Sequence, residues 1–122
     1  MAKQLPLDLT AAKDEPLGRV LQTILQVVQP VKVILFGSRA TGLARVDSDY
    51  DLLIIEAEPF SPQRSRRREA AKVWRALAEL GISSDILMYS QAETDRFRQW
   101  PNHVIAQAFR EGQVLYERSG PG

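Results

Sequence analysis

Leu17, Val20, Leu21, Ile24, Leu25 and Val28 recur at i, i+3, i+4, i+7, i+8 and i+11, a single apolar stripe along a helix. Asp14-Glu15-Pro16 supplies acids and a proline for its first turn, and Pro30 ends it. The pattern then changes period. Val31 to Phe36 (VKVILF) is β-branched and almost wholly apolar, a buried strand that stops at Gly37. A short turn or helix fits 38–44. Tyr50 to Ile55 (YDLLII) is a second buried strand, closed by Pro59. Ser61-Pro62 predicts the start of the longest helix, running to about Leu80, with Ala70, Val73, Trp74 and Leu77 inward and Gly81 as its stop. Asp85 to Tyr89 (DILMY) reads as a third strand, and Ser90-Gln91-Ala92-Glu93 as the capping box of a short helix. Asn102 is placed to cap a last helix bearing Val104, Ile105, Ala108 and Phe109, and Val114 to Tyr116 adds a short edge strand.

This order of elements predicts an α/β fold, a small mixed β-sheet flanked by helices. At 122 residues and 44% hydrophobic content, the chain reads as one domain over 1–122 with a single core, its first 13 residues an irregular arm. Charge adds little: a net +1 favours no strong polyanion binder, so direct nucleic-acid binding is not expected. The absence of cysteine removes disulfides and thiolate metal sites and fits a reducing compartment. No apolar run resembles a signal peptide or approaches the roughly 20 residues of a membrane span. A soluble, cytoplasmic protein is expected.

Candidate chemistry centres on GSRATGLARVDSDYDLL, residues 37–53. Gly37 and Gly42 have Walker A spacing, but Leu43 and Ala44 stand where Lys and Ser or Thr are required, so the P-loop reading fails. Asp49 and Asp51 are two apart where a strand begins, so both carboxylates project from one face. They repel unless a cation lies between them, which Arg39, Arg45 or a divalent metal would supply. A helical crossover makes the second and third strands parallel, which brings Asp85 beside Asp49 and Asp51. The first strand can pair with the second in either orientation. If antiparallel, its end at Gly37-Ser38 reaches the same corner. Three carboxylates suit hard-oxygen coordination of Mg²⁺, and two such ions roughly 3.5–4 Å apart suit phosphoryl or nucleotidyl transfer. The small turn lets backbone N–H groups and the Ser38 hydroxyl approach phosphate oxygens.

Gly37-Ser38, ten intervening residues, then Asp49-Tyr50-Asp51 match the hG[GS]…Dh[DE]h signature of the DNA polymerase β-like nucleotidyltransferase superfamily. GSRATGLARVDSDYDLLI closely resembles the minimal nucleotidyltransferases, and AFREGQVLYE at 108–117 is similar to their C-terminal ending. The resemblance covers about residues 17–117. It implies that Asp49 and Asp51 bind two Mg²⁺ ions, and that Asp85 completes the metal site or acts as base toward the incoming hydroxyl. It also implies that Gly37 and Ser38, and with them Arg39, contact the triphosphate of ATP. Tyr50 departs from the aliphatic residue usual there. Minimal members lack the helical substrate domain of larger relatives, and the chain after Tyr89 is too short to hold one. The resemblance therefore implies a partner chain, a helical HEPN-family toxin, in a hetero-oligomeric toxin–antitoxin pair. The antitoxin would move AMP from ATP onto a tyrosine of that ribonuclease. Two alternatives stand beside this: transfer to a small-molecule hydroxyl of aminoglycoside type, and a non-catalytic module that neutralises a toxin by contact.

Other residues read more plainly. Arg64, Arg66, Arg67 and Arg68 are expected in the first turns of the long helix, as a solvated face or a docking patch, roughly 15–20 Å from the aspartates at about 3.3 Å per strand residue. His103 reads as a surface or capping residue, Trp74 as core, and Trp100 as a packing residue. Asp47 has an indirect role or none.

Overall fold

The computed structural model describes residues 15–45 and 47–118. The expected arm over 1–13 and Asp14 lie outside these residues. Along the chain run α1 (Glu15–Val27), β1 (Lys32–Phe36), α2 (Ser38–Thr41), β2 (Tyr50–Glu56), α3 (Arg66–Glu79), β3 (Ser84–Ser90), α4 (Gln91–Phe97), α5 (Val104–Glu111) and β4 (Gln113–Glu117).

The four strands form one mixed sheet in the order β3-β2-β1-β4. β2 and β3 are parallel, as the helical crossover requires. β1 is antiparallel to β2 and to β4, which decides the orientation that the sequence left open. The apolar character of β1 and β2 follows from their place in the middle of the sheet, covered on both sides. One face carries Val33, Leu35, Leu52, Ile54 and Met88 against the stripe of α1 and against Val73 and Leu77 of α3. The other carries Ile34, Leu53 and Ile55 against Ile105 and Ala108 of α5, with Leu87, Tyr89 and Phe97 packed around them.

Several boundaries differ from expectation. The longest helix starts at Arg66, where the Ser65 hydroxyl accepts from the Arg68 N–H as N-cap. Ser61 and Arg64 instead close a tight turn through reciprocal backbone bonds of 3.1 and 2.9 Å. Both serines carry the same capping signal, and the turn chemistry of the Pro59–Arg64 segment takes the first one. Trp74 is 52% exposed, not core. Ala70, Val73 and Leu77 share one face, whereas Trp74 is turned 100° from Val73, and α3 buries only a narrow stripe. The last helix is capped by the His103 ring, whose Nδ1 accepts from the Ile105 N–H at 3.0 Å, and not by Asn102. His103 also stacks flat on Phe97 with centroids 4.4 Å apart. Trp100 is 53% exposed, with one edge against Phe97.

The arginine run is not a uniform solvated face. Arg64 precedes the helix and pairs with Glu56, which is only 5% exposed. Arg66 donates through Nη1 and Nη2 to the two oxygens of Glu93 at 2.9 and 2.7 Å, tying α3 to the capping box of α4. That bond holds the Glu93 carboxyl below the ordinary glutamate range. Burial pushes the Glu56 carboxyl up, partly offset by Arg64. Arg67 and Arg68 are exposed.

Candidate active site

Side chains on alternate strand residues share a face, so Asp51 and Asp85 stand where the face lined by Leu53 and Leu87 meets solvent. Asp51 is the register partner of Asp85 on β3 and of Phe36 on β1. Tyr50, one residue earlier, is buried on the opposite face with Leu52. Asp49 lies just before β2, and its carboxylate Oδ1 accepts a hydrogen bond from the Ser83 hydroxyl. The Asp51 carboxyl is held above the ordinary aspartate range, first by burial, then by the charges of Asp85 and Asp49.

Because β1 runs antiparallel to β2, its end delivers Gly37 to this corner. Gly37 has φ 76° and ψ −156°, a conformation nearly closed to residues with a side chain. It also lies against Asp51: a Cβ there would stand 3.0 Å from the Asp51 Cγ and closer still to Oδ2. Ser38 opens the one-turn helix α2, and Gly42 ends that helix in the left-handed conformation at φ 83°. Nothing lies within 4 Å of a Cβ built at Gly42, so that glycine serves the turn and Gly37 serves both turn and carboxylate.

Arg39 reaches back across the loop. Its Nε and Nη2 donate to the Ser48 carbonyl at 3.1 and 2.9 Å, and its guanidinium lies 4.1 Å from the Tyr50 ring centroid. The aromatic departure at position 50 is thereby explained: the ring is a platform for Arg39. A phosphate contact by Arg39 has to coexist with these bonds. The Arg45 N–H donates to the Ser48 hydroxyl at 2.8 Å, closing the loop further, and Asp47 is exposed. A cleft of about 600 Å³ has Arg39, Asp47, Tyr50 and Ser83 among its walls, and none of Asp49, Asp51 and Asp85 lines it. A second cavity, about 430 Å³, surrounds Glu56 and Arg64 at the far end of β2, away from the aspartates.

Of the six residues singled out from sequence, Asp51, Asp85 and Gly37 come together directly, Asp49 and Ser38 are their chain neighbours, and Arg39 is the loop clamp. Ser83 was missed. Its signal was present in the parallel register, since a strand pairing of Asp51 with Asp85 sets residue 83 opposite residue 49.

Among the described residues, no three His, Cys, Asp or Glu side chains form a ready-made cage for a metal ion. The donor set nevertheless fits a hard divalent cation. Three carboxylates sit on adjoining strand starts, none is in an ion pair with a described Lys or Arg, and the charges of Asp85 and Asp49 add to burial in raising the Asp51 carboxyl.

Residues 20–120 match the family model described as polymerase beta, nucleotidyltransferase. The chain belongs to the polymerase beta nucleotidyltransferase family. No curated protein matches it by sequence. Among solved structures, this nucleotidyltransferase is similar in fold to a toxin–antitoxin solved with AMP-PNP, at 18% identity and TM-score 0.54, covering 82% of this chain and 72% of that one. It is similar also to a doubly substituted mutant of the toxin–antitoxin MntA-HpeT, at 16% identity and TM-score 0.52, covering 82% and 71%. The mixed four-stranded sheet is thus the nucleotidyltransferase fold, and among the described residues no helix is long and apolar enough to cross a membrane.

Proposed function

We propose that this nucleotidyltransferase is the antitoxin of a toxin–antitoxin pair and transfers AMP from ATP to a tyrosine hydroxyl of a HEPN-family toxin. One observation carries the chemistry: Asp51 and Asp85 are register partners, with Gly37 packed on the Asp51 carboxylate. The partner is suggested by two fold neighbours that are toxin–antitoxin structures.

Asp49, Asp51 and Asp85 would hold Mg²⁺, two ions in this reading. Bound there, the metal would supply positive charge to the phosphate oxygens and lower the barrier to displacement. Gly37 presents bare backbone, and the Ser38 hydroxyl and N–H would donate to incoming phosphate oxygens. The acceptor oxygen forms a bond to the α-phosphorus as the bond to the β-phosphate oxygen breaks, and pyrophosphate leaves. The acceptor proton passes to a carboxylate, for which Asp85 is placed beside Asp51 at the rim. Arg39 keeps the loop before Asp49 in register.

Incubating the purified protein with α-labelled ATP, Mg²⁺ and the toxin encoded beside it, followed by mass spectrometry, tests the reading. An AMP adduct on a toxin tyrosine is expected, and it disappears in the Asp49→Asn/Asp51→Asn variant. A toxin that stays unmodified yet is fully neutralised by that variant contradicts it.

A further inference from the structure

We propose that Ser83 is a positioning residue that fixes the Asp49 carboxylate for divalent-cation binding. The inference rests on the reading of Asp49 as a metal-holding acid.

Asp49 is the one of the three acids that lies outside a strand. It precedes β2, so it lies outside the named β2–β3 ladder that aligns Asp51 with Asp85. The chain on each side of it is nevertheless anchored. Arg39 grips the Ser48 carbonyl and lies over the Tyr50 ring, and the Tyr50 N–H donates to the Ser83 carbonyl at 3.0 Å. What remains free is rotation of the Asp49 side chain. The Ser83 hydroxyl removes that freedom by donating to Oδ1, leaving Oδ2 to face a cation. Residues 83 and 85 share a strand parity, so one short segment supplies both the brace for Asp49 and the carboxylate beside Asp51. Carboxylate ligands held by an outer hydrogen bond lose roughly 10–100-fold in metal affinity when that bond is removed. Ser83 is exposed, so replacing it leaves the core untouched.

The test is Mn²⁺ affinity of the full chain, read from the free-ion paramagnetic resonance signal, with melting temperature recorded beside it. Ser83→Ala is expected to weaken Mn²⁺ binding by about 10-fold or more with an unchanged melting temperature. Ser83→Thr, which keeps the hydroxyl, restores binding, whereas Ser83→Cys, a weak donor of similar size, does not. Asp49→Asn separates the two readings. If it loses Mn²⁺ while Ser83→Ala binds as wild type or more tightly, the Ser83 proposal is overturned and the Asp49 reading stands. If Asp49→Asn itself binds as wild type, the Asp49 reading fails and takes the Ser83 proposal with it.

Discussion

Asp51 and Asp85 are directly paired across two parallel strands, so two carboxylates share the rim of the sheet with no described cation between them. Parallel pairing aligns strand starts, and an acid is the second residue of both strands. Charge repulsion is therefore built into the fold. It is tolerable where a divalent ion compensates it; burial first, and then this repulsion, raises the Asp51 carboxyl.

That raised carboxyl gives a pH signature. It holds its proton more tightly in the fold than in the unfolded chain, so its contribution to stability is complete below about pH 4 and is lost as pH rises through the higher folded value. Asp51→Asn is expected to melt higher than wild type at neutral pH without metal, and the gap should close on acidification. Added Mg²⁺ should raise the wild-type melting temperature and leave Asp51→Asn nearly unmoved. Melting curves across pH check this, and a constant gap at all pH values contradicts it.

The two glycines of the loop should respond differently. Gly42→Ala places a side chain at φ 83° in open space, at a cost of about 1–2 kcal/mol. Gly37→Ala carries a backbone cost of roughly 1–3 kcal/mol and also drives the Asp51 carboxylate aside. Denaturant unfolding should show comparable losses of stability. Nucleotide transfer should survive in Gly42→Ala and fall at least about 100-fold in Gly37→Ala, since misplacement of about 1 Å near the chemistry costs that much.

Glu56 is buried beside Arg64 at the other end of β2. Arg64→Met leaves that carboxylate buried without its partner and should cost about 3 kcal/mol, while the double variant Glu56→Gln/Arg64→Met should recover much of the loss. A thermodynamic double-mutant cycle reads the coupling. Additive effects would contradict the buried-pair account.

Arg66 and Glu93 test the link between α3 and α4. The Glu93 carboxyl is lowered, so its stabilisation is present above about pH 4.3 and lost as pH falls through the depressed value. The pair is half exposed, so Glu93→Gln should cost about 0.5–1 kcal/mol at neutral pH and nothing at strongly acid pH. Stability measured in urea at the two pH values checks this.

Much of the arrangement was legible from residue order alone. The stripe from Leu17 to Val28, the apolar runs at 31–36 and 50–55, and the crossover that sets Asp85 beside Asp51 all follow from periodicity and from the parallel pairing that a helical crossover imposes. The orientation of β1 was not legible, because the link from Phe36 to Tyr50 is long enough for either direction. Arg39 illustrates a second limit of sequence reasoning. The resemblance implies a phosphate contact for it; the Ser48 carbonyl and the Tyr50 ring that hold it carry no sequence signal, and without that contact Tyr50 reads as a mere departure. Trp74 misled because hydrophobicity fixes which helix is amphipathic more firmly than how wide its buried arc is. Ser83 carried no motif at all; only strand register exposes it.

In the proposed function, residues 49, 51 and 85 form one divalent-cation site for nucleotide transfer. Crystals grown with a non-hydrolysable ATP analogue and Mn²⁺ test it most directly, through anomalous scattering from the metal. Density bridging the Asp49 and Asp51 carboxylates, with Asp85 in or beside the coordination shell and phosphate oxygens over Gly37-Ser38, is the predicted result. Nucleotide bound with its metal away from these carboxylates, or an empty rim at saturating Mn²⁺, would contradict it.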